Sequence, residues 1–189
     1  MNRSIIFSLF IATAAVQLFV PASLILRRES VIKHGSEYML LAAPVDPYDA
    51  FRGRYVRIAM DTVTRPLPLG QSFDEGKKAF AVLEKGSDGV ASVKSISYSR
   101  PEGTDYLTVN LRNVGSGNVA IVWPFDRYYM EEFMAPEAER LYWEKAGEHT
   151  AHIIVRVFKG MGVVTGLYVD GKPIEEQLSQ RYGVHQRNQ

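Results

Sequence analysis

Between Arg3 and the pair Arg27-Arg28 runs a single segment, Ile5 to Leu26, that is apolar apart from its serines, Thr13 and Gln17. Wound as a helix, its twenty-two residues rise roughly 33 Å, enough to cross a hydrocarbon core of about 30 Å. A segment of that length restricts the remainder to a domain tethered beside a bilayer or released from it by cleavage. Val20-Pro21-Ala22 ahead of Ser23 supplies small residues near a plausible cleavage point, so a signal peptide is the competing reading. Segment length favours an uncleaved anchor, with Pro21 placed to kink its outer end. Basic residues flank both ends, and the positive-inside rule therefore gives no decisive asymmetry. A folded domain that follows a start-proximal anchor is commonly translocated. The expected localisation is the inner membrane, single-pass, with the domain facing the periplasm.

The rest of the chain has room for one domain of ordinary size. An apolar content of 46% excludes a disordered chain. A net charge of +1 gives no argument for nucleic acid. The absence of cysteine excludes disulfides, thiolate metal sites and a cysteine nucleophile. The organisation expected is an anchor or signal peptide over 1–28, a spacer over 29–36, a β-rich extracytoplasmic domain over 37–179 and a polar tail over 180–189. The polar spacer also reads as a continuation of the helix that Gly35 stops.

Strand signals follow one another along the domain. Tyr38 to Val45 reads as a largely buried strand, and Arg54 to Met60 alternates, with Val56, Ile58 and Met60 on one face and Tyr55, Arg57 and Ala59 on the other. Arg65 to Gly70, with its two prolines, reads as a break. Ala79 to Glu84 turns at Ser87-Asp88-Gly89 into Val90 to Tyr98, and Tyr106 to Arg112 turns at Gly115 to Asn118 into Val119 to Trp123. One helix is signalled by Pro136 at its start, Glu137 and Glu139 in its first turn and Gly147 at its end. Thr150 to Lys159 and Val163 to Val169 are β-branched runs about Gly160-Met161-Gly162, and Asp170-Gly171 turns into Lys172-Pro173-Ile174. About eight strands at hairpin spacing predict a mainly β fold, a compact antiparallel sandwich or barrel-like domain with one helix behind an N-terminal transmembrane helix.

The densest chemistry lies between the first two strands. Asp46-Pro47-Tyr48-Asp49 sets up a tight turn, Arg52-Gly53 bends the chain again, and Arg52, Arg54 and Arg57 lie close in sequence to Asp46, Tyr48, Asp49 and Tyr55. Either the arginines fork onto the aspartates and pin the turn, or the cluster is an anion- or partner-binding face of the arginine and tyrosine type that anchors interfaces. A second aromatic stretch, Phe125 to Phe133, holds Tyr128, Tyr129 and Glu132. It reads as a loop packed over a sheet edge or as a recognition loop facing the first cluster.

Other chemistry is poorly supported. His149 and His152 would point to opposite faces of a strand, and no zinc-ligand pattern is present. No cofactor is expected either: Gly160-Met161-Gly162 and Gly115-Ser116-Gly117 sit between strands, without a helix N-terminus to receive phosphate. Phe51 to Val56 resembles the strand after the nucleophile in signal peptidases. Upstream, however, Pro44-Val45-Asp46-Pro47 holds no serine, and no lysine base can be assigned. No catalytic residue is expected, and a signal-peptidase-like hydrolase ranks third among the readings.

With these residues laid out, most of the chain resembles the GDYXXLXY family of membrane-anchored proteins. Val45-Asp46-Pro47-Tyr48-Asp49-Ala50-Phe51-Arg52-Gly53 is similar to the family's PVDPRDLFRG lead-in, and Tyr55-Val56-Arg57-Ile58 follows the naming motif in position. Arg127 to Glu132 and Gly166 to Ile174 look like later blocks. The family's aspartate after glycine is Arg54 here, its leucine Ile58 and its final tyrosine Met60. Ile58 and Met60 keep the apolar face, whereas Arg54 reverses a charge. The resemblance implies an exported, anchored domain that is often encoded beside a polytopic membrane protein, which favours partner binding over catalysis.

The function expected is that of a non-enzymatic accessory or interaction partner of an integral membrane protein. The alternative is an envelope binding module for a small anion, peptide or glycan. On the first reading, Arg52→Ala weakens recovery of the partner more than it lowers the melting temperature. Equal loss of both would assign the cluster to holding the turn.

Overall fold

A computed structural model describes residues 3–43, 55–60, 63–67, 70, 72–148 and 150–179. The first element, α1 (Arg3–His34), is a single helix of 32 residues that runs through Pro21 and past the basic pair. It is roughly 48 Å long and both long and apolar enough to cross a membrane. Among the described residues nothing covers its apolar part, and large apolar side chains are exposed all around it rather than in one stripe. That pattern suits a helix solvated by lipid. Two of its hydroxyls bond back to the helix itself, Thr13 Oγ1 to the Leu9 carbonyl at 2.9 Å and Ser23 Oγ to the Val20 carbonyl at 2.7 Å, which satisfies both within the helix.

The residues read as a spacer stay helical to His34. Gly35 ends the helix, donating its N–H to the Val31 carbonyl at 2.8 Å. A Cβ at Gly35 would run into that same oxygen and come within 3.1 Å of the Val157 backbone.

Beyond Gly35 come β1 (Ser36–Ala43), β2 (Tyr55–Arg57), β3 (Ala59–Met60), β4 (Thr64–Pro66), β5 (Ala79–Lys85), β6 (Ala91–Ser97), β7 (Tyr106–Gly115), β8 (Asn118–Val122) and β9 (Arg127–Tyr129). Then follow α2 (Ala135–Gly147), β10 (Ala151–Phe158), β11 (Met161–Val169), β12 (Lys172–Pro173) and a short helix, α3, over 174–179. Among the described residues every pairing of two strands is antiparallel. One five-stranded sheet has the order β12-β11-β10-β1-β3, the other β4-β8-β7-β5-β6, and β2 and β9 form a two-stranded ribbon.

The run from Tyr55 to Met60 changes partner at Ile58. Its first half pairs with β9 and its second half with β1, so the first sheet passes into the ribbon, and β9 packs back against β11. The second sheet curls as well: Arg65 on β4, one edge strand, reaches the Val93 carbonyl on β6, the other edge, at 3.4 Å. The domain is thus mainly β, antiparallel and barrel-like, with α2 packed on β1, β2, β10 and β11.

Most of the sequence expectation survives in detail. Val56, Ile58 and Met60 are buried, as are Leu107, Val109 and Leu111. Two short strands depart from it, at Pro66 and in the aromatic stretch, and a third adds to it. The stretch around Pro66, read as a break, carries the edge strand β4, where a proline removes no ladder bond that the sheet needs. The aromatic stretch read as a loop contains β9, and β12 extends the turn after Asp170.

Helix α2 seats Ala135, Ala138, Leu141, Tyr142 and Ala146 against the sheet. Three alanines let it lie close enough for the Tyr142 hydroxyl to enter the β1–β3 junction. There the hydroxyl accepts from the Ala59 N–H at 3.0 Å and lies 2.9 Å from the Ala43 carbonyl and 3.2 Å from the Ala59 carbonyl. These backbone groups sit where β1 ends and no further ladder partner follows among the described residues. Burial raises the Tyr142 phenol to about 12. Tyr38, likewise raised to about 12 by burial and then by its bond to Asp105, adds in the same sense.

Tyr142→Phe should lower stability by about 1–3 kcal/mol in urea unfolding, since it leaves buried backbone groups unsatisfied. Because the folded state holds both phenol protons above the ordinary pKa of 10.0, their stabilisation is intact below pH 10. It is lost as pH rises from 10 towards 12. Wild type should therefore lose stability more steeply than Tyr142→Phe across that interval, and parallel curves would refute the assignment.

Candidate functional site

The ribbon brings together the described members of the two sequence clusters. Tyr55 pairs with Tyr129, Val56 with Tyr128 and Arg57 with Arg127. Because side chains alternate across a strand, Tyr55, Arg57, Arg127 and Tyr129 share one face and Val56 and Tyr128 the other. The first face is outward: Arg57, Arg127 and Tyr129 are exposed and Tyr55 is half-buried, whereas Val56 is fully buried.

On the outer face the Tyr55 and Tyr129 rings meet edge-on, with centroids 5.9 Å apart and planes at 62°. The Arg127 guanidinium lies 4.9 Å from the Tyr55 ring centre, within cation–π range. The Asp126 carboxylate is 3.6 Å from Arg127 Nε. The bond to the Tyr129 hydroxyl, followed by the charge of Asp126, raises the Arg127 pKa further. This small, preset surface of two aromatics and two guanidiniums has the composition from which interface anchors are drawn.

The inner face does structural work. Tyr128 donates a short hydrogen bond to the Glu175 carboxylate on α3, and α3 itself is held by the fully buried Ile174 and Leu178. Burial, followed by the Glu175 bond, raises the Tyr128 pKa. Tyr128 thereby ties β9 to α3. Glu132 is exposed on the turn before α2. Asp46, Tyr48, Asp49, Arg52, Gly53 and Arg54 lie outside the described residues. Arg127 was missed as a site residue. Its signal was the alternation Arg-Tyr-Tyr opposite Tyr-Val-Arg, two short runs with the same outward-inward-outward pattern.

Beside Arg127 a cleft of about 800 Å³ opens between α1 and the domain, with Leu24, Arg27 and Arg28 on the helix side and β9 and the start of β11 on the other. Among the described residues no three His, Cys, Asp or Glu side chains converge to hold a metal. His152 sits in β10 between Leu41 and Tyr168 on the flanking strands, and His149 is outside the described residues.

Fold and site together define a class: a barrel-like β domain carried on one helix long enough to span a bilayer, with an aromatic–guanidinium ribbon on its surface. A family model described as GDYXXLXY protein matches residues 17–167, and the chain belongs to that family. No curated protein and no solved structure matches it.

The two faces of the ribbon should separate by mutation. Tyr128→Phe should cost about 1.5–3 kcal/mol in urea unfolding, the range for hydrogen bonds to charged groups. Arg127→Ala and Tyr129→Ala should each stay within about 0.5 kcal/mol of wild type, as exposed positions do. A large loss from Arg127→Ala would make the outer face a brace rather than an available surface.

Proposed function

We propose that this chain is a non-enzymatic, single-pass accessory subunit of an integral membrane protein, anchored in the inner membrane with its β domain in the periplasm. The observation that carries this reading is Gln17. Its amide is exposed near the middle of a helix that nothing covers among the described residues, one turn from Thr13 on the same side. In hydrocarbon an amide without a partner is costly, and polar side chains at mid-span commonly bond across to another helix. A second transmembrane helix answers that need. The ribbon face of Tyr55, Arg57, Arg127 and Tyr129 supports the same reading outside the bilayer. It offers anchor-type residues on the side of the domain that flanks α1.

The test is recovery of tagged protein from detergent-solubilised membranes, comparing the full-length chain, Gln17→Leu and a chain beginning at Arg28. The full-length form should bring down a membrane protein in stoichiometric amount. Gln17→Leu should reduce recovery roughly threefold to thirtyfold, the worth of one interhelical hydrogen bond of about 0.6–2 kcal/mol, with an unchanged melting temperature. Capture by the chain that starts at Arg28 would move the contact to the ribbon. Failure of the full-length chain to recover any partner would end this reading.

A further inference from the structure

We propose that the cleft between α1 and the β domain holds the phosphate-bearing headgroup of an anionic phospholipid drawn from the bilayer that α1 crosses. The proposal rests on the anchor reading above and adds a ligand to it.

Charge is the first argument. The cleft is lined by Arg27, Arg28, Lys78, Arg127 and Lys159 and by a single acid, Asp126, which lies 3.6 Å from Arg127. The chain as a whole carries only +1, so the excess is local. Elsewhere several cations are matched, as Lys33 is with Glu29, Lys94 with Glu84, Arg140 with Glu137 and Arg156 with Glu37, and those that are not among the described residues, such as Lys85, Arg112 and Lys172, do not line the cleft. Arg27, Arg28, Lys78 and Lys159 form no ion pair among the described residues. Unmatched cations converging on one concavity ask for an anion, and arginine in particular suits phosphate oxygens.

Position is the second. Leu24 belongs to the apolar run, and Arg27 and Arg28 follow it directly. A cleft walled by all three has its mouth at the level where lipid phosphates lie. Lining is the third. Phe125, Met161 and Val164 share the walls with the cations, which suits a ligand with an apolar portion next to its phosphate. A free inorganic anion would have no use for them. A volume of about 800 Å³ lies within the usual range for small-ligand sites.

The full-length chain is reconstituted in nanodiscs of equal parts phosphatidylcholine and phosphatidylglycerol, and lipid retained on release is counted by native mass spectrometry. Phosphatidylglycerol should be retained in preference. Lys78→Gln/Lys159→Gln should cut its retention about tenfold, since each basic side chain beside an anionic lipid surface contributes appreciably. Lys94→Gln/Lys172→Gln, which removes the same charge away from the cleft, should leave retention unchanged. No preference in wild type, or equal loss in both double variants, overturns the proposal while leaving the anchor reading intact. Displacement of the lipid by millimolar inorganic phosphate would reassign the cleft to a free anion and also overturn it. Failure of the chain to enter nanodiscs of any composition would overturn the anchor reading and this one together.

Discussion

The geometry of this protein depends on the join between its long helix and its sheet. Val31 is the one buried residue of α1, and Arg156 of β10 donates to the Ile32 carbonyl at 2.6 Å while pairing with Glu37 at 3.4 Å. A guanidinium at a helix C-terminus satisfies an orphan carbonyl and meets the negative end of the helix dipole. Gly35 then admits the Val157 backbone where any side chain would collide. The His34 ring lies 5.9 Å from that of Phe158, adding a third contact to the same strand. A helix merely linked to its domain would leave the two free to reorient. This one enters the sheet within a single residue and is clamped from the side, so Arg27 and Arg28 keep their place beside β9 and the cleft persists.

A second constraint is the close approach of the two sheets around the β10–β11 turn. The Thr108 N–H donates to the Gly160 carbonyl at 2.8 Å. A Cβ on Gly160 would lie 2.6 Å from the Tyr106 ring, and one on Gly162 2.7 Å from Leu107. The two glycines flank the exposed Met161 and both line the cleft. Their smallness does two things at once: it lets β11 lie on β7, and it keeps one wall of the cleft low. The Gly-Met-Gly stretch is thus explained by sheet contact.

How far the sequence reveals this depends on whether the signal is local. The period-2 runs at Val56–Met60 and Leu107–Leu111 placed their own side chains correctly, because alternation is a property of a few neighbouring residues. The turns after Lys85 and Gly115 were legible for the same reason, with Asp88 and Asn113 bonding the backbone two residues on. β4 and β9 were not legible as strands, being three residues long and held by partners far along the chain, whereas β12 pairs across the Asp170-Gly171 turn that the sequence signals. The cleft was illegible for a stronger reason. Its cations are drawn from positions 27 to 159, and a net charge near zero hides a cluster that only folding assembles. The role of Tyr142 is illegible for the same reason, since the backbone groups its hydroxyl meets belong to Ala43 and Ala59, far from it in sequence.

The family motif can now be read against this geometry. Of its named positions, Ile58 and Met60 stand where the family has leucine and tyrosine, and both are buried at 4% and 7% exposure. Ile58 is the point where the strand leaves β9 for β1 and Met60 lies just beyond it, so their work is to hold a strand that serves two sheets. An apolar residue of similar bulk can do this, which is why methionine for tyrosine leaves the fold intact. Tyr55 is different: it faces outward, under Arg127 and against Tyr129. Within the described part of the motif, Tyr55 rather than the positions where this chain departs is therefore the one on the outer face. Arg127, which lies outside the motif, shares that face because strand pairing and not sequence proximity puts it there.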